Sequence, residues 1–323
     1  MIKTLLKLRD IIVFSAIIFF VFLLIVNDKF TTLTLEGIKT YYLTLFPSLF
    51  PYLFLTSLLT LTKGAGKVAK LISPFFEKVF NVSGACGYAY LMGVVSGYPI
   101  GSIMIAEFKK QNLISDTEAE RASCLCATSS PSFVINVVGG LCFNSVKLGA
   151  FLYLGHLLSS IIVGLIFSNY KKEYVLTRKQ FCVKQSDNVI SESITSAVNS
   201  ALFVGGFITL FYLLTEILYT LGVFNLPIKL LSRLLGNTYL AKGVVFALFE
   251  TTKGFKILAS IPISRLTFCT GSFLIGFSGL SIIMQCISPL KTAKIKTAPH
   301  LFSKFVSAVL NLIFCFIFSL WLF

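Results

Sequence analysis

The chain has 323 residues, of which 56% are apolar and 13% charged, and its mean hydropathy is +0.87. Such a balance excludes a soluble globular domain and defines a polytopic membrane protein. The formal charge of +15 does not point to nucleic acid, because the lysines stand in short clusters between apolar runs, where they act as topology signals against anionic headgroups.

"MIKTLLKLRD" followed by the apolar run 11–26 resembles a signal peptide, but no A-x-A-like site follows and the next residues are Asn27, Asp28 and Lys29. The expectation is a retained N-terminal transmembrane helix over 1–29. A spanning helix needs roughly 20 apolar residues, and clean candidates then follow at 40–62, 147–169, 197–222 and 301–323. Between them lie four segments, at 85–108, 122–143, 240–260 and 266–289, each interrupted by Gly, Pro, Ser, Thr or a charge. Cysteines 86, 124, 126, 142, 182, 269, 286 and 315 form no CxxC pair and no zinc-like spacing with His, so they read as small packed residues and no cofactor or metal is expected.

The basic clusters constrain the path. If 85–108 crossed fully, Lys109 and Lys110 would be outside, and the strongest cluster, at 171–184, would land outside after two more crossings, against the preference of cations for the cytoplasm. Both conflicts vanish if 85–108 is re-entrant, with its bend at Gly97, Tyr98, Pro99, Ile100 and Gly101, where proline removes a donor and glycine permits the turn.

After a basic cytoplasmic linker at 171–190, the second half follows the plan of the first: a long helix, a connector, two interrupted segments and a closing helix. Gly101 aligns with Gly254, and Ser130 with Ser278. The expected architecture is therefore an all-α polytopic membrane protein with an inverted-topology repeat (30–170 and 191–323), whose re-entrant or broken helices meet near the bilayer midplane.

Broken segments in corresponding positions of two halves point to a transporter site. The substrate-binding candidates are Ser96, Gly97, Tyr98, Pro99 and Gly101 in the first break, and Ser129, Ser130, Ser132 and Asn136 in the second. The other half contributes Glu250, Thr251 and Lys253, then Ser278, Ser281 and Gln285. Gly93, Gly97 and Gly101 also fit a small-residue packing stripe. Glu250 and Lys253 can pair on one helix face, either as a structural pair or to serve a substrate. Glu107 and Glu216 read as interfacial, and His156 as a proton carrier or a packed, hydrogen-bonded residue. "GFSG" at 276–279 fits an intramembrane serine protease pattern, but the nearest histidine, His300, follows a basic loop, so no enzyme is expected.

"YLMGVVSGYPIGSIMIAE", "EAERASCLCATSSPSFVINVVG", "FETTKG" and "GFSGLSIIMQ" together resemble the YlbJ-type sporulation integral membrane proteins of the nucleoside-recognition (Gate domain) superfamily, over roughly residues 40–320, with SGYP-x-G, a Glu-rich loop and a Ser-Pro-Ser turn as the combination. The resemblance implies a protein of the bacterial cell membrane, at the outer forespore membrane during endospore formation, moving dipicolinic acid, a flat dianion suited to hydroxyls, amides and Lys253. Two readings stand beside it: a carrier or channel for nucleosides or other neutral small molecules, and a non-transporting structural protein of the spore envelope. The expected partners are the small-molecule substrate and the lipid bilayer, not nucleic acid; a homo-oligomer or sporulation membrane partners stay open.

Overall fold

The computed structural model describes residues 28–171 and 188–323, together with Val21. The expected N-terminal helix and most of the basic linker lie outside the described residues. The chain is helical throughout the rest, and among the described residues five helices are long and apolar enough to cross a membrane.

The first half opens with α1 (Asp28–Thr40), which runs through a π-helical stretch (Tyr41–Leu45) into α2 (Phe46–Thr60). Then comes α3 (Lys63–Phe80), amphipathic, with Ala65, Ala69, Phe76 and Phe80 buried on one side and its lysines on the other. It bends by 95° into α4 (Gly84–Ser96), and α5 (Ile100–Lys110) returns alongside it. A polar helix, α6 (Asp116–Leu125), leads through an unwound stretch to a π-helical segment (Ser132–Cys142) and the closing helix α7 (Val146–Phe167).

The second half repeats this order. A long helix α8 (Val189–Thr220) precedes an amphipathic α9 (Asn225–Leu235) and a pair α10 (Thr238–Phe249) and α11 (Thr251–Leu258). A broken helix α12 (Arg265–Phe277) and α13 (Gly279–Thr292) follows, and α14 (Ala298–Leu322) closes the chain. At 1.5 Å per residue, the 32 residues of α8 extend about 48 Å, enough to cross a bilayer and its headgroups.

Residues 84–110 fold back on themselves as a helical hairpin. Gly93 and Gly101 lie side by side across its limbs, within 3.6 Å of a Cβ built on Gly93. The hairpin's two ends share one end of the molecule: the Ser83 N–H, at its start, donates to Glu118 Oε1 at 2.7 Å, and Lys109, at its finish, pairs with Asp116 at 2.9 Å. Helices α10 and α11 form a second hairpin, in which a Cβ on Gly254 would stand 2.4 Å from Ala247 Cα.

The stretch read as a Glu-rich loop is helix α6, and three of its four charged residues, Glu118, Glu120 and Arg121, are buried. Ser115 caps it by accepting from the Glu118 N–H. Arg121 donates to the carbonyls of Asn81, Tyr170 and Lys171, while Lys171 pairs with Glu120 at 2.8 Å. These bonds satisfy chain ends at α3 and α7 that would otherwise leave carbonyls bare, and they put Lys109 and Lys171 at one end of the molecule. Six of the seven described cysteines are buried, and all seven are free thiols.

Candidate functional site

The two hairpin tips and the two helix breaks converge in the interior. The first tip is Gly97-Tyr98-Pro99, with a cis Tyr98–Pro99 peptide. Gly97 has φ +78°, and a Cβ there would lie 2.6 Å from the Ser130 nitrogen. Only glycine lets the tip rest directly on the first half's broken helix. Ser96 donates to the Tyr52 carbonyl at 3.0 Å, fixing the tip to α2.

The break it rests on has a cause in the sequence. In a continuous helix the Ala127 carbonyl would accept from residue 131, but that residue is proline and has no N–H. The freed carbonyl instead accepts from Tyr98 Oη at 2.9 Å and from Lys304 Nζ at 3.0 Å. Nearby, the Ser129 N–H donates to His156 Nε2 at 2.9 Å, and Ser130 Oγ accepts from the Phe133 N–H. His156 is a packed, hydrogen-bonded residue of α7.

In the second half the break lies at Ser278 and Gly279, with φ +78° and +69°. Thr251, at the start of α11, donates to the Ser278 carbonyl at 2.7 Å, so this hairpin also seats on the broken helix of its own half. Ser278 Oγ then crosses between halves and donates to Tyr98 Oη at 2.8 Å.

Lys304 on α14 joins all of these groups. Its Nζ lies 2.5 Å from Tyr98 Oη and 3.2 Å from Ser278 Oγ, and 4.0 Å from the centre of the Tyr98 ring. The residue is 1% exposed, and no carboxylate lies within ion-pair distance of it among the described residues. Hydrogen bonds from a charged donor contribute about 1.5–3 kcal/mol each, and a cation over an aromatic face roughly 0.5–2 kcal/mol. They solvate the ammonium but leave its charge uncompensated, and burying an unpaired charge costs several kcal/mol.

The structure sorts the sequence-derived candidates. Gly97, Tyr98, Ser129, Ser130, Thr251 and Ser278 surround the convergence; Ser96, Pro99 and Gly101 support the first tip. Ser132 is buried beside the first break, while Ser281 and Gln285 are buried on α13, where Gln285 Nε2 donates weakly to Ser281 Oγ at 3.4 Å. Asn136 is exposed and stands apart from the rest.

Glu250 and Lys253 do not pair. The Glu250 carboxylate accepts from the Thr252 and Lys253 backbone N–H groups, capping α11, because a carboxylate at a helix start takes the free amides there. The Lys253 side chain turns outward to Glu216, 2.5 Å away, and lies 3.9 Å from the Tyr212 ring centre. Glu216 is thus its partner rather than a bare interfacial residue. Ser278 does have a basic neighbour at depth, Lys304 rather than His300, and His300 itself is buried on α14 beside the Ser123 carbonyl. The Ser278 hydroxyl is 1% exposed and committed to Tyr98, not presented to a cleft.

Lys304 was missed in the sequence because α14 reads as a uniform apolar span and the lysine follows a basic cluster. One signal points to it: His156 follows Ser130 by the same interval that separates Lys304 from Ser278.

This arrangement of hairpins and broken helices defines a class of membrane protein. The fold matches that of CNTnw, a concentrative nucleoside transporter solved in an inward-facing substrate-bound state, with a TM-score of 0.56 at 13% identity, covering 96% of this chain and 87% of that one. Residues 42–146 match the Gate family model, described as nucleoside recognition. The chain belongs to the family of the sporulation integral membrane protein YlbJ of Bacillus subtilis (strain 168), to which it is 30% identical over 306 residues, 86% of this chain and 74% of the relative. It is an integral membrane protein.

Proposed function

We propose that the chain is a transporter rather than an enzyme, moving a small anionic metabolite through a site between two halves of inverted topology. Dipicolinate, pyridine-2,6-dicarboxylate, is the substrate that the family resemblance favours. One observation carries the transport reading: the broken segments of both halves converge on Tyr98, Ser278 and Lys304 in the interior. Irregular backbone at membrane depth persists only where it is buried in protein or lines a cavity, and broken elements in corresponding positions are where transporters hold their cargo. Gly97, Tyr98, Ser129, Ser130, Thr251 and Ser278 are the proposed lining.

The test is uptake of labelled dipicolinate into proteoliposomes holding the purified protein. Saturable uptake above empty vesicles supports the reading, and uptake equal to empty vesicles overturns it. A nucleoside substrate is the second reading, favoured by the match of residues 42–146 to a nucleoside-recognition model. Under it, adenosine is taken up and dipicolinate does not compete.

A further inference from the structure

Lys304 stands out among the buried charged side chains. Lys253 has Glu216 at 2.5 Å, and Glu120 has Lys171 at 2.8 Å. Glu250 accepts two backbone N–H groups at a helix start. Lys304 faces only neutral acceptors, a phenol, a carbonyl and a hydroxyl; Arg121 does too, but its three carbonyls are chain ends of its own half. The ligands of Lys304 come from both halves, Tyr98 and Ala127 from the first and Ser278 from the second. At the first half's hairpin and break, Ser102 Oγ and Thr128 Oγ1 are buried with no hydrogen-bond partner. A buried lysine with no counter-charge, in a site that also holds unused hydroxyls, is the arrangement expected where a ligand supplies the missing charge and acceptors.

We propose that Lys304 is the anion-recognising residue of the site: a substrate carboxylate takes the place of Tyr98 Oη and Ser278 Oγ on the ammonium. Binding then does two things with one exchange. It neutralises the buried charge, and it releases the tie that holds the first hairpin tip to the second half's broken helix. The preference for an anion over a neutral ligand follows from Lys304, since a neutral ligand leaves the charge uncompensated and offers no gain over the hydroxyls it displaces. This inference rests on the transport reading and assigns its substrate chemistry to one side chain.

Binding to the purified full-length protein, measured by calorimetry with dipicolinate and with adenosine as the neutral probe, tests it. Lys304→Gln keeps polarity and most of the reach but removes the charge, and is expected to weaken dipicolinate binding by about 30-fold or more. Lys304→Arg keeps the charge and is expected to stay within about tenfold of the parent. Tyr98→Phe removes a competing ligand from the ammonium and is expected to bind dipicolinate more tightly, by up to about fivefold, which serves as an independent check should Lys304→Gln fail to accumulate. Lys304→Gln binding dipicolinate like the parent, Lys304→Arg losing as much as Lys304→Gln, or Tyr98→Phe binding no more tightly than the parent would each overturn the assignment. Those outcomes leave the transport reading standing if the parent still takes up dipicolinate. A parent that binds adenosine but not dipicolinate sinks the anion reading and this inference together.

Discussion

The two closing helices, α7 and α14, occupy matching places in the two halves and differ where it matters. Ser130 and Ser278, His156 and Lys304, and Ser159 and Ser307 are separated by the same interval in the sequence. The last of these pairs meets directly, with the two hydroxyl oxygens 3.5 Å apart. At the matched position below each break, α7 places an imidazole that accepts one N–H of its own half. Helix α14 places an ammonium that reaches across to the other half. The hairpin tips differ in the same sense. Tyr98 crosses to the second half, whereas Glu250 caps its own helix. A shared plan of breaks builds the frame, and single departures from the plan set the charge at its centre.

The largest expected effect comes from the feature the halves share. Gly97→Ala would add a Cβ 2.6 Å from the Ser130 nitrogen at φ +78°, and Gly279→Ala one 2.6 Å from the Ala247 carbonyl oxygen at φ +69°. Backbone strain of this kind costs about 1–3 kcal/mol on its own, before the tip is displaced from the helix it rests on. Both variants are expected to reach the membrane, to melt at lower temperature by thermal denaturation and to lose uptake in proteoliposomes. If one abolishes uptake and the other leaves it at the parental rate, the halves are not equivalent in the way the matching breaks imply.

How much of this was open to reading from the residues follows from the same contrast. Breaks are written locally: proline deletes a donor, and Gly, Ser and Thr interrupt an apolar run, so 97–101, 128–136 and Ser278 stand out. Partnerships formed through space are not written locally. Glu250 looked like the partner of Lys253 because it is near in sequence, yet helix-start amides take its carboxylate and Glu216 takes the lysine. The connectors were read only through their lysines, as topology signals. The spacing of Ala65, Ala69, Phe76 and Phe80 on α3 carries a helical period. Helix α6 was hidden by its acidic composition, which tertiary partners such as Ser83, Asn81 and Lys171 make tolerable in the interior.

The next prediction sharpens the contrast between the two buried lysines of the second half. Lys253 is neutralised by Glu216, whose side chain is 23% exposed, so its removal leaves a carboxylate that water can partly solvate. Lys253→Met is therefore expected to lower stability by about 1–3 kcal/mol, less than for a fully buried pair. Dipicolinate affinity in a binding titration is expected to stay within about threefold of the parent. An affinity loss matching that of Lys304→Gln would return Lys253 to the substrate and make the second half's charge a shared property of two residues.

The smallest effect is expected at His156, the counterpart of Lys304. Its Nε2 accepts the Ser129 N–H within a site from which water is excluded, and a buried N–H left without an acceptor costs about 1–3 kcal/mol. His156→Leu removes the acceptor, whereas His156→Gln offers a side-chain oxygen at similar reach. The leucine variant is expected to fall within that range in a chemical-denaturation measurement, and the glutamine variant to recover most of it. Because this acceptor is neutral and serves only its own half, affinity for the anion should change by less than about threefold in His156→Gln. A loss of dipicolinate binding in His156→Gln at unchanged stability would mean that the imidazole touches the substrate, and the division of labour between α7 and α14 would then be one of degree.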